Sequence, residues 1–153
     1  MEIEKSKTCA VTGHRIMLND IDEKRVEDVF SALISNGVRT FLNGMALGFD
    51  TMCFHVLERL REEHDVKIIA CIPCEGQAER FSEKNKREYE RMVESADERI
   101  YLSREYTPSC MMKRNVFMVD NCCVLVAYKR RSGGGTAKTV EYAEKLGKET
   151  ILL

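Results

Sequence analysis

The sequence has almost no net charge. Its 24 Lys and Arg residues face 25 Asp and Glu in 153 residues, which leaves −1. Proteins that coat nucleic acid carry a basic excess, so this balance predicts that nucleic acid is not a partner. No apolar run approaches the length of a membrane span, and no membrane association is expected. The opening residues, MEIEKSKTCAVTG, lack the long apolar core of a secretory signal. The seven cysteines are odd in number and irregular in spacing. Without an export signal they are expected as reduced thiols in a cytoplasmic protein, not as a disulfide framework.

Several standard motifs are also missing. No G-x-G-x-x-G follows the first strand-like run and no G-x-x-x-x-G-K-[ST] occurs, which disfavours a nicotinamide site of the usual kind and a P-loop ATPase. Gly147-Lys148 is followed by Glu149 and reads as a helix end. Cys71-Ile72-Pro73-Cys74 is a lone C-x-x-C without a second pair or an H-x-x-x-H, so no metal site is assigned. A redox role would want that pair opening a helix. It ends a strand instead, and no helix pattern starts directly after it, so no redox role is assigned.

What is present is the composition of a globular protein, 44% apolar and 32% charged, with no linker and no repeat. One domain over residues 1–153 is expected. Strand-like runs at 8–12, 39–43, 66–72, 98–102, 122–128 and 150–153 alternate with helical patterns, the first helix opened by a capping box beginning at Asp20. Regular alternation predicts an α/β fold: a single-domain, Rossmann-like, doubly wound and mainly parallel sheet with helices on both faces.

Ligands bind such sheets beyond the carboxyl ends of the strands, and three glycine-bearing turns fall there. Thr12, Gly13, His14 and Arg15 follow the first strand, with Arg15 suited to a phosphate or carboxylate. Gly44 to Asp50 follows the second, where Asp50 is placed either to accept sugar hydroxyls or to favour the helix dipole. Gly133, Gly134, Gly135 and Thr136 follow the basic cluster Lys129-Arg130-Arg131 and open a helix, an arrangement suited to holding a phosphate. Their coincidence predicts an anionic ligand across the strand ends.

These residues resemble a known family. CAVTGHR at Cys9 to Arg15, GMALGFD at Gly44 to Asp50, IPCEGQ at Ile72 to Gln77, KRNVFMVD at Lys113 to Asp120, the SGGGT turn and the Tyr142-Ala143 helix together look like the SLOG superfamily, in its YpsA-like branch. The resemblance implies a Rossmann-like fold binding a small nucleotide-like ligand, with an NAD-derived or ADP-ribose-like molecule as a candidate. It adds Met45, Ala46, Gln77, Arg114 and Asn115 to the expected ligand-binding residues. Relatives include the LOG phosphoribohydrolases, which are typically dimers, and DprA-like DNA-processing proteins.

The LOG pattern is an Arg-Lys pair followed by P-G-G-x-G-T-x-x-E. Here Arg114 matches the Arg and Asn115 replaces the Lys. Gly133, Gly135 and Thr136 match the loop, while Arg131 and Ser132 stand where Pro and Gly are expected. The catalytic Glu position holds Thr139, and Glu141 is turned roughly 200° around the helix from it. No catalytic residue is assigned. The expectation is a ligand cradle, with nucleoside monophosphate hydrolysis and a DprA-like DNA-processing module as the alternatives, and Asp50 or Asp120 as the candidate replacement acids for hydrolysis.

Overall fold

The computed structural model describes residues 2–153. After a short 3-10 turn, the chain alternates strand and helix: β1 Thr8–Gly13, α1 Glu23–Ser35, β2 Thr40–Asn43, α2 Phe49–Glu63, β3 Lys67–Ile72, α3 Glu83–Ser95, β4 Glu98–Tyr101, α4 Cys110–Asp120, β5 Val124–Tyr128, α5 Gly135–Lys145 and β6 Glu149–Leu152. All six strands form one parallel sheet in the order β4-β3-β2-β1-β5-β6. This is the doubly wound α/β architecture expected from the alternation.

The central strands are buried on both faces, and their alternate residues feed two separate cores. Cys9, Val11, Phe41 and Ile68 join Phe30 of α1, Phe54 of α2 and Met92 of α3 on one face. Ala10, Leu42 and Ile69 join Met118 and Val119 of α4 and Val140 and Ala143 of α5 on the other. The chain runs outward from β1 to β4 and then returns to the far side of β1. The strand order therefore reverses between β1 and β5, and a crevice opens beyond their carboxyl ends.

Some boundaries differ from expectation. Asp22, not Asp20, caps α1, accepting from Arg25 N at 2.9 Å. Asp20 is held elsewhere, by the Tyr128 hydroxyl at 2.8 Å and by Arg130. Cys122 and Cys123 precede β5 and do not belong to it, and Cys123 is partly exposed. All seven cysteines are free. Cys71 and Cys74 are buried, and burial pushes the Cys71 thiol up to about 12. Among the described residues no helix is long and apolar enough to cross a membrane, and no cluster of His, Cys, Asp and Glu gathers as a metal site.

Candidate functional site

A cleft of about 370 Å³ lies at the carboxyl end of β1, between the β1–α1 loop, the β2–α2 turn, α4 and the start of α5. Of the expected residues it brings together Thr12, Gly13, His14, Arg15, Ala46, Asp50, Gln77, Arg114, Asn115, Gly135 and Thr136. Gly44, Met45, Gly48, Gly133 and Gly134 do not line it.

The β2–α2 turn shows why. Gly48 brings backbone close to backbone, with no room left for a ligand, whereas Gly13, which does line the cleft, makes room for the Phe49 side chain. A Cβ on Gly48 would stand 2.1 Å from the Arg15 carbonyl oxygen, and its φ of +82° suits only glycine. A Cβ on Gly13 would meet Phe49 at 2.5 Å. The β1–α1 loop is thereby pressed onto the N-terminus of α2, where Phe49 N donates to the His14 carbonyl at 3.1 Å. Gly44 lies beneath the Arg114 guanidinium, and the Met45 side chain is in the core.

Asn43 organises the same turn and was not among the expected residues. It is fully buried; its Oδ1 accepts from Met45 N at 2.8 Å and its Nδ2 donates to the Asp50 carbonyl at 2.9 Å. These bonds hold Met45 at a φ of +63°, a left-handed conformation that costs a non-glycine residue roughly 1–2 kcal/mol. The available sequence signal was an Asn at a strand end immediately before Gly44, a turn former in that setting.

Among the described residues, Asp50 is the only carboxylate lining the cleft. It is 5% exposed; Oδ2 accepts from Ala46 N at 3.2 Å, and Oδ1 has no partner among the described residues. Burial raises its carboxyl to about 6, against the opposing charge of Arg114. A buried acceptor without a donor is costly in a folded chain, and the residue that carries this one lines the cleft.

Arg114 is also buried, at 5% exposure, and is not a free hand for an anion. Nε donates to Asn115 Oδ1 at 2.7 Å, and Nη1 donates to the carbonyls of Gly44 and Cys71. The guanidinium braces α4 against the ends of β2 and β3, which leaves Nη2 uncommitted. Gln77 completes this layer, donating to the Gly44 carbonyl at 2.9 Å while its Oε1 accepts from the Tyr89 hydroxyl at 2.9 Å.

The opposite wall is basic. His14 Nε2 accepts from Arg130 N at 2.8 Å, which requires a neutral ring carrying its proton on Nδ1. Burial, followed by the charges of Arg131 and Arg130, lowers the His14 pKa in keeping with that. Arg130 lies over the Tyr128 ring at 4.1 Å and also binds Asp20, fixing the β1–α1 loop. Arg131 is exposed and lines the cleft. Beside it α5 begins with Gly134 as its cap residue and no side-chain cap, so its first N–H groups are unclaimed.

Residues the LOG pattern made prominent face elsewhere. The Thr139 hydroxyl donates to the Gly135 carbonyl within its own helix at 2.7 Å, and Thr139 does not line the cleft. Asp120 accepts from the Tyr142 hydroxyl at 2.6 Å outside the cleft, and Glu141 is exposed.

The family model for YpsA, described as the YspA SLOG family, matches residues 18–151. The chain belongs to that family. It is 32% identical over 120 residues to the uncharacterized SPbeta prophage-derived protein YoqJ of Bacillus subtilis, covering 69% of each chain. It is 28% identical over 153 residues to a UPF0398 protein of Bacillus velezensis, covering 91% of this chain and 84% of that one.

Among solved structures, DprA of Streptococcus pneumoniae superposes with a TM-score of 0.72 at 20% identity, over 96% of this chain and 50% of the other. DprA of Helicobacter pylori, described through its single-stranded DNA binding mode, gives 0.68 at 16% identity, over 97% and 65%. This YpsA-family chain thus spans only half to two thirds of the DprA chains, and the likeness is one of fold. It nonetheless corrects the expectation that nucleic acid is not a partner. Whole-chain charge averages over surfaces, whereas here basic residues collect at the strand ends, as Arg15, Lys129, Arg130 and Arg131 do.

Proposed function

We propose that the cleft binds a nucleotide or nucleotide-derived ligand. The phosphate rests on the uncapped N-terminus of α5 with Arg131 and Arg15, the only partly committed Arg114 facing it, and a sugar hydroxyl donates to Asp50. One observation carries this reading: a buried carboxylate oxygen without a donor shares a single cleft with an unclaimed helix N-terminus. An anion satisfies the N–H groups, and a hydroxyl satisfies Oδ1. The free cysteines fit a reducing compartment, and we place the protein in the cytoplasm.

Binding is favoured over cleavage. Breaking a glycosidic bond needs a placed acid or nucleophile, and among the described residues Asp50 is the only carboxylate in the cleft. Thermal shift of the full chain against nucleoside monophosphates, a dinucleotide and ADP-ribose tests the proposal. A ligand at about 100 times its Kd adds roughly 2.7 kcal/mol of stability, which raises Tm by several degrees. No shift with any of them sinks the reading.

A second reading is favoured by the H. pylori DprA likeness: single-stranded DNA crosses the same cleft, one nucleotide seated and the strand continuing over the basic rim. Affinity for a labelled oligothymidylate that falls steeply with salt, and is weakened by Arg15→Ala and Arg131→Ala, supports it. Binding to mononucleotides alone counts against it.

A further inference from the structure

A second concavity, of about 640 Å³, lies on the far side of the 75–81 segment, between α3 and the edge strand β4. Its floor is apolar: Ala78 and Tyr89 are nearly covered, Val93 is partly covered, and Tyr101 is 49% exposed. Its rim carries Glu75, Glu79, Glu90 and Glu94, all exposed.

The two sides of α3 treat their charges differently. Toward α2, Arg91 is bonded to both Glu58 and Glu88, and Glu88 also meets His55 at 2.6 Å. That side is electrostatically closed. Toward the groove, none of the four rim glutamates forms an ion pair among the described residues. Arg99 lies in the groove lining, yet its guanidinium donates to the carbonyls of Val93, Glu94 and Ala96, capping the end of α3. Lys86 is the remaining cation there. The result is an apolar trough with an acidic rim beside a strand that pairs only with β3.

We infer that this groove docks a basic, amphipathic segment of a partner protein. Apolar side chains of the segment cover Tyr101 and Val93, and Lys or Arg heads reach the glutamate rim, their aliphatic stems adding to the covered surface. The inference is independent of what the cleft binds. The groove does share a wall with the cleft: Gln77 and Phe81 face the cleft, while Gly76 and Ala78 face the groove. Tyr89 belongs to the groove floor, and its hydroxyl holds Gln77.

The test is an NMR titration of the full ¹⁵N-labelled chain with a synthetic peptide of alternating Lys and Leu. A Glu/Leu peptide and an oligolysine of equal charge serve as controls. The Lys/Leu peptide is expected to move amides of α3, β4 and residues 75–79, and Glu90→Lys with Glu94→Lys to weaken it by about tenfold or more. The equal charge change made by Glu141→Lys with Glu144→Lys, on the other face of the sheet, is expected to leave affinity within about twofold. Equal weakening by both pairs, equally tight oligolysine binding, or shifts outside the groove each overturn the proposal. A well-dispersed spectrum for each variant establishes that it is folded.

Discussion

The β2–α2 turn and the β5–α5 turn both join a buried strand to a helix at the same cleft, and both are glycine-bearing. They are built for opposite ends. The first is filled by its own chain: Gly48 touches the β1–α1 loop, Asn43 spans the turn, and Arg114 covers Gly44. Only Asp50 Oδ1 is left over. The second is unfilled: a Cβ at Gly133 or Gly135 meets nothing within 4 Å, and the helix has no side-chain cap. Glycine therefore carries two meanings at neighbouring positions, close packing of the chain in one turn and open space in the other. The proposed ligand takes the turn in which the chain leaves room.

Substitution breaks this contrast most severely at Gly48. Gly48→Ala adds left-handed strain and a collision with backbone, and is expected to cost about 3–5 kcal/mol in chemical denaturation. Arg114→Ala comes next. It strips donors from the carbonyls of Gly44 and Cys71 and opens a void between α4 and the sheet, for an expected loss of about 3 kcal/mol. Equal stability of either variant and the parent would refute the packed description of the first turn.

Asp50→Asn is expected to act in the opposite direction. The folded-state carboxyl sits at about 6 against an ordinary 3.8, so the folded chain holds this proton more tightly than the unfolded chain. Stability from this group is present below about pH 4 and is lost as pH rises through 6. Removing the charge should stabilise the protein at pH 8 by about 1–2 kcal/mol, after allowance for the amide's own unmet donor, with the gain vanishing near pH 4. The same variant should lose nucleotide-induced thermal shift. Gly133→Ala sits at the small end: with open space around it and no positive φ, a stability change within about 0.5 kcal/mol is expected.

Much of the fold was legible because it rests on local pattern. Apolar runs such as Cys9 to Val11 and Val124 to Tyr128 are buried on both faces, and their alternation with amphipathic helices leaves few topologies open. The position of the candidate site was legible in part: Thr12 and Gly13 end β1, and the other expected residues fall on loops or helices at the carboxyl end of the sheet, though Gly44, Met45, Gly48, Gly133 and Gly134 do not line the cleft. What each residue does there was not. The reading that Gly48 admits a ligand differs from the packing observed because it is set by Arg15 and His14, more than thirty residues away. Arg114 reads as an anion ligand in isolation, but its partners come from the ends of β2 and β3. Whole-chain charge does not exclude nucleic acid for the same reason: basic residues can gather on one surface while the total stays near zero.

In the proposed binding mode the open turn at the start of α5 receives the phosphate and Asp50 the sugar. Titrating the ¹⁵N-labelled chain with adenosine 5′-monophosphate, and separately with adenosine, reads this at individual amides. The largest shifts are expected at Gly135, Thr136 and Ala137 with the phosphate-bearing ligand, much smaller ones with adenosine, and loss of the response in Asp50→Asn. Shifts that leave the α5 N-terminus still, or that are identical with and without the phosphate, would contradict it.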